Sequence, residues 1–554
     1  MTVSDGGEVL AVGSGVPPAA AADAQVLTED LHGALVLPGL HDAHMHAFMM
    51  GESAEWLDLS GCSSFDEFAT RLRAYDAAYP EKAWIVGVGW AQDELSASAR
   101  YPSRSDIDAV IKNRPVLLHR ACWHIAVVNT KALEIAGVDL SAPSHDIAHG
   151  AIDVDGNGAT GILREDVQPI PFDRNPIVSE PTVPNLRVKY LKNALQRCVR
   201  SGLTAIHTND EDAWRVYAKL QEQEGGKGLP IRVYLTPSIH ELGKPTTPQP
   251  GARNGLVACH RMKIFSDGSL GAVSRWLALS VMHFVLSSLL TGMCLLFQET
   301  AALRVPYKGT DNKGILMNSD EDLVKKISEA NKAGYRQVLA ALKTAGVNPE
   351  QRPILTHCQI LGEDLITKMR DQGVIGDIQP SFTVTDAAYV RKRLQDDVLP
   401  FSYCWKRMLD SGVACAGGSD APIETCNPFQ GIFDAIYRHK PNHPEDVFLP
   451  EEQLTFNEAL ALYTKGGAFA AMEEHQLGQL APGFRADFVV LRQDVTQDHE
   501  ALVAPDLVES VWVDGKKTYQ FDPASAASEP KPHDLSTSSL PGKNGPRRAC
   551  RCCR

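Results

Sequence analysis

Two histidines two residues apart close the run Leu37-Pro38-Gly39-Leu40-His41-Asp42-Ala43-His44-Met45-His46. An apolar lead, Leu35 to Leu37, meets Pro-Gly and then the pair. In an extended strand, side chains at i and i+2 share a face, so His44 and His46 can grip one ion together. Imidazole suits zinc and related divalent ions. The same spacing also occurs at ordinary polar strand ends, so the pair gains meaning only from partners. Lys263 within Met262-Lys263-Ile264-Phe265, His357 after Ile354-Leu355-Thr356, and Asp420 after Gly417-Gly418-Ser419 are the candidates. A protonated lysine repels a metal; one kept neutral by burial can take up carbon dioxide, and the carbamate is then an anionic oxygen ligand. The plainer alternatives are a surface ion pair for Lys263 and a satisfied core histidine for His357. His124, beside Trp123, and Trp90, closing the apolar run from Ala83, follow strands and are candidates for substrate contact. Packing is the commoner role for a lone histidine beside a tryptophan.

These groups meet only if their strands end at one place. A closed parallel barrel gathers the C-terminal ends of its strands around one mouth. The chain has the rhythm for it: helix Asn185 to Ser201, strand Leu203 to His207, helix Glu211 to Glu222, strand Ile231 to Leu235, then Met262 to Gly271, Ile354 to Cys358, Gly373 to Ile378 and Val413 to Asp420. With the histidine strand, that is a reading of seven barrel-type strands. Short β-like pieces (Val9 to Gly13, Gln25 to Leu27, Ala34 to Val36) find partners in Gly478 to Leu491 and Val508 to Val513. Residues 1–36 and 479–523 are therefore expected to form a small β-sandwich around a barrel at 37–478. An α/β insertion occupies about 57–170, with a helix start at Asn129-Thr130-Lys131. A helix from Thr455 to Met472 opens with a capping box, Thr455 and Glu458. Residues 524–554 are Ser/Pro-rich and are expected to be a disordered tail.

Composition narrows the partners. The chain has 554 residues, 44% hydrophobic and 22% charged, with a formal charge of −14, which argues against nucleic acid or an anionic membrane surface. Its 12 cysteines form no framework and suit a reducing compartment. Met1 to Gly15 has no basic start and no apolar core, so a cytoplasmic location is expected.

Together, Pro38 to His46, Lys263 to Gly271, Thr356 to Gln359, Gly418 to Pro422 and Gly478 to Asp487 resemble the amidohydrolase superfamily, specifically its amidohydrolase-3 branch, which includes N-substituted formamide deformylases. The match runs from about Val9 to Val513. The resemblance implies an α/β fold, a (β/α)8 TIM-type barrel with a small β-sandwich, and hydrolysis of an amide-type, non-peptide carbon–nitrogen bond in a small molecule through a metal-activated hydroxide. It implies one or two divalent ions, with zinc expected. Carried over by position, His44, His46, His357 and Asp420 are metal ligands and Lys263 is the bridging carbamylated lysine. Asp420 also shuttles the proton, and His124 faces substrate. A homodimer is compatible with this reading.

Two departures stand out. The family's fifth strand carries another metal histidine, whereas here Gly334-Tyr335-Arg336 runs from the helix 320–333 directly into Gln337 to Lys343. And Trp276 to Phe297 has no Asp, Glu, Lys or Arg, a length that would span a membrane. It interrupts a family segment, so translated non-coding sequence is favoured over an anchor. The missing strand leaves a second function open, a catalytically silent binding or assembly protein on the same fold. It also leads us to expect that this chain folds poorly or is inactive.

Overall fold

Alternation gives the central strands two unlike faces. Leu203, Ile206, Val233, Leu235, Val257 and Cys259 share one core with Leu191, Leu195, Tyr217 and Leu220 of the helices Val183–Arg200 and Trp214–Gln223. Ala205, Tyr234 and Ala258 turn the other way and pack with Ala468, Ala471 and Leu477. Parallel strands buried on both faces, with large residues toward the helices, make the α/β arrangement the periodicity predicts.

The computed structural model describes residues 1–14, 27–95, 100–121, 125–141, 150–165, 183–223, 228–249, 251–264, 347 and 349–523. One sheet runs Ala252–Asn254, Val257–Cys259, Arg232–Leu235, Leu203–Thr208, Leu40–Met45, all parallel except the first pair. A second, also parallel, runs Ile354–Thr356, Ile375–Ile378, Cys415–Gly417. The two sheets meet where Asp420 N–H donates to the His44 carbonyl at 2.7 Å and His46 N–H donates to the Ala421 carbonyl at 2.8 Å. Among the described residues the strands thus form two linked sheets, not the closed ring expected. Residues 265–346, which include the segment 276–297 and the expected splice at Gly334 to Lys343, lie outside the described residues.

The sequence pattern places Lys263 inside a strand starting at Met262. Instead the strand is Val257–Cys259, and Lys263 follows it in an isolated parallel bridge to Ser238, its N–H on the Pro237 carbonyl at 2.8 Å. The Thr455 capping box is present, but the helix is not continuous: Phe456–Ala461 widens into a π-helical stretch, Leu462–Gly466, before Gly467–Ala470. Close packing accompanies the change. A β-carbon on Gly467 would stand 2.3 Å from that of His41. Asn129 caps Thr130–Ala136 as expected, accepting from the Ala132 amide.

The chain ends do pair. Leu35–Pro38 lies antiparallel to Phe488–Leu491 in a four-stranded sheet with Val508–Val513 and Lys516–Gln520. Val9 exchanges hydrogen bonds with Gly483 and Phe484. Arg232 of the parallel sheet, buried, reaches Asp487 at 2.7 Å and so locks that sheet to the strand Phe488–Leu491. The insertion forms a six-stranded sheet, from Leu57–Asp58 to Gly150–Asp155, with its own cores. Gln25, Val26 and the expected tail at 524–554 lie outside the described residues. Among the described residues, no helix is long and apolar enough to cross a membrane.

Candidate metal centre

The first strand delivers its two histidines as the i, i+2 pattern requires, although only His44 lies within Leu40–Met45. His46 caps the helix Ala47–Ser53, whose first turn is tied to the next strand: Ala47 N–H donates to Thr208 Oγ1 at 3.0 Å and Phe48 N–H to Asp210 Oδ1 at 2.9 Å. Asp420 arrives from the last strand. Its Oδ1 is 3.3 Å from Nε2 of both His44 and His46. One ligand atom from each of the three residues lies within 4.8 Å of the others. Burial and the charge of Lys263 hold the His44 imidazole well below its ordinary pKa, so its ring is neutral. Burial raises the Asp420 carboxyl, but hydrogen bonds from His44 and His46 and the nearness of His357 outweigh it and hold the group well below the usual carboxylate range.

His357 joins from the second sheet. Its ring lies edge-on to that of His44 with centroids 5.4 Å apart, and His46 lies edge-on to the His44 ring at 5.3 Å. Burial and Lys263 lower its pKa as well. Lys263 is buried, which pulls its ammonium down toward the neutral amine, while Asp377 and Asp420 oppose that. Four of the expected ligands thus surround one another, and Lys263 interacts electrostatically with three of them, His44, His357 and Asp420.

Backbone conformation completes the convergence. His357 at φ 73° and Asp420 at φ 58° both lie in the left-handed region, which non-glycine residues enter at a cost of ~1–3 kcal/mol each and which clusters at functional sites. Gly418 lets the last strand slide against the first, since a β-carbon there would stand 2.6 Å from the His44 nitrogen. Beside it, Asp42 Oδ1 accepts from the amides of His44 and Ser419 at 3.1 and 3.0 Å. Burial pushes the Asp42 carboxyl up to about 7.

Three residues here were not singled out from sequence: Asp42, Asp377 and Gln379. Asp377 Oδ2 is 3.8 Å from His44 Nδ1, and Gln379 contacts His357 Nδ1 at 2.8 Å. Burial raises the Asp377 carboxyl and nearby Lys263 lowers it. The signal was available, because Asp377 and Gln379 repeat the i, i+2 polar spacing of His44 and His46 at the end of an apolar strand. Trp90 is fully buried within the core of the insertion, its indole N–H donating to the Leu118 carbonyl at 2.8 Å. His124 lies outside the described residues.

The donor set fits a divalent cation: a neutral imidazole, a second one 22% exposed, and an ionised carboxylate at its side. Comparison with known proteins points the same way. YtcJ of Bacillus subtilis, named as an amidohydrolase, is 31% identical over 84% of this chain and 85% of its own length. The N-substituted formamide deformylase of Arthrobacter pascens is 23% identical over 93% of this chain and 94% of its own. The solved structure of a metal-dependent hydrolase from Pyrococcus furiosus superposes with a TM-score of 0.61 at 26% identity, covering 84% of this chain and 88% of that one. The sequence pattern of the amidohydrolase family matches residues 27–519, and the chain belongs to that family.

Proposed function

We propose that the protein is a metal-dependent hydrolase that cleaves an amide-type, non-peptide carbon–nitrogen bond in a small molecule. The observation that carries this reading is the meeting of His44, His46 and Asp420 within 4.8 Å, on strands that come from opposite ends of the chain. His44 and His46 would hold the ion with His357, Asp420 and a carbamate on Lys263. Zinc is the ion that this set of imidazole and carboxylate donors suits, singly or as a pair. When bound, such an ion supplies Lewis acidity and makes water a nucleophile near neutral pH.

The protein's own groups do the rest. Asp420, whose Oδ1 stands 3.3 Å from an imidazole nitrogen of both His44 and His46, accepts a proton from the attacking water and returns it to the leaving nitrogen. His46 is the most open of the three and marks the side from which substrate enters. The carbon–nitrogen bond is supported by the relative from Arthrobacter pascens, whose name specifies a deformylase of N-substituted formamides. Relatives named as an amidohydrolase and a deformylase, and a similar solved structure named as a metal-dependent hydrolase, favour catalysis over a silent binding or assembly protein.

The test is metal analysis of the purified protein, paired with hydrolysis assays on a panel of N-formyl and N-acyl amines. Stoichiometric zinc or a similar ion, with amine release that chelation abolishes, is expected. Full metal loading with no hydrolysis of any carbon–nitrogen substrate would overturn the assignment of reaction, and absence of metal would overturn the site.

A further inference from the structure

We infer that Asp377 and Gln379 form a relay that fixes which nitrogen of His357 carries the proton, making Gln379 a positioning residue for the metal centre. The inference rests on the function proposed above. Asp377 lies in the strand Ile375–Ile378 and Gln379 directly follows it, and both side chains reach one another at 3.1 Å. Both are buried, Gln379 with no exposed surface.

The relay has three groups, Asp377, Gln379 and His357. Gln379 Nε2 donates to Asp377 Oδ1 at 3.1 Å. A side-chain amide has a donor end and an acceptor end, and the two look alike in shape. Asp377 presents an accepting oxygen, so the NH2 end must face it. The Oε1 end is then left pointing at His357 Nδ1, 2.8 Å away. An acceptor there requires the proton on Nδ1, which leaves the lone pair of Nε2 free for an ion. Without Gln379 oriented this way, either ring nitrogen could carry the proton, and the tautomer with Nε2–H cannot ligate through that atom. Asp377 stands behind His44 as well, with Oδ2 3.8 Å from Nδ1 while His44 Nε2 faces Asp420. One carboxylate thus backs two candidate ligands, the first directly and the second through an amide. Partners of this kind orient metal-binding histidines and strengthen them as ligands.

Tautomer and affinity test it separately. In metal-free protein labelled with 15N-histidine, the His357 signal, assigned by its loss in His357→Asn, should show the Nδ1–H form. In Gln379→Leu it should shift toward a mixture. Chelator competition should find Co2+ or Zn2+ binding weakened by about 10–100-fold in Gln379→Leu, with the melting temperature little changed. An Nε2–H tautomer in the unsubstituted protein, or unchanged affinity in a folded Gln379→Leu variant, would overturn the relay. Protein that binds no metal yet shows the Nδ1–H tautomer supports the relay and removes the metal-centre reading instead.

Discussion

The amide of Asp420 donates to the carbonyl of His44 at 2.7 Å, so one candidate ligand is hydrogen-bonded through its backbone to another. That contact is possible only because Gly418 lacks a side chain where the strands cross. Gly418→Ala would push a methyl group to 2.6 Å from the His44 nitrogen. Overpacking of this kind costs ~1–3 kcal/mol, and here it also spreads the ligands. We expect lower denaturant stability and reduced metal content together. A variant that lost neither would show that the strand crossing does not set the site.

Removing a ligand should act on metal before it acts on fold. His46→Ala takes away a partly exposed imidazole and should lower metal content without large loss of stability. Asp420→Asn keeps shape and one oxygen but removes the proton acceptor, so turnover should drop by ~10²–10⁴. Normal metal in a folded His46→Ala protein, or near-normal turnover in Asp420→Asn, would contradict the roles given to these residues.

Lys263→Ala tests the carbamate. Burial of Lys263 favours the neutral amine that reacts with carbon dioxide. Activity and metal content should fall in the variant, and a small added carboxylate such as acetate should restore part of both. Depletion of bicarbonate should mimic the substitution in the unmodified protein. If neither treatment has an effect, Lys263 is not a ligand in any form.

A pH dependence follows from Asp434, on the helix Pro428–Tyr437. Burial raises its carboxyl to about 6, against hydrogen bonds from Ser381 and Gln430. A carboxyl whose folded pKa is raised binds its proton more tightly in the folded state. Its contribution is therefore complete below the unfolded pKa, near 3.8, and is lost as pH rises through about 6. Asp434→Asn, permanently neutral, should match the unsubstituted protein near pH 4. It should exceed it by roughly 2–3 kcal/mol at neutral pH. Urea melts at both pH values measure the difference, and a gap that did not widen with pH would refute it.

The apolar segment gives the last prediction. Protein lacking residues 276–297 and carrying a histidine-bearing strand after Arg336 should be more soluble and bind more metal than this chain. A parallel sheet missing an internal strand leaves unpaired backbone on both neighbours, and each buried unsatisfied group costs ~1–3 kcal/mol. Equal solubility and metal content in the two proteins would show that the gap was misread.

Much of the site was legible in the sequence because strand periodicity is local. His44 and His46 share a face by spacing alone, and Thr455 with Glu458 announces a helix start through groups three residues apart. Resemblance to a family added Lys263, His357 and Asp420 as their partners. Long-range matters were not legible. Trp90 reads like a strand-end residue open to substrate, yet its burial depends on which strands of the insertion pair around it. The left-handed backbone at His357 and Asp420, the crossing at Gly418, and the break in the helix after Ala461 depend on contacts between distant segments. Asp377 and Gln379 matter only because the fold sets His357 against Gln379 and His44 near Asp377. Ligand types and the faces on which they stand follow from residue identity alone, through side-chain chemistry and backbone period. Tertiary structure decided which ligands meet and what stands behind them, because hydrogen bonds and burial require atoms from separate strands to come within a few ångströms.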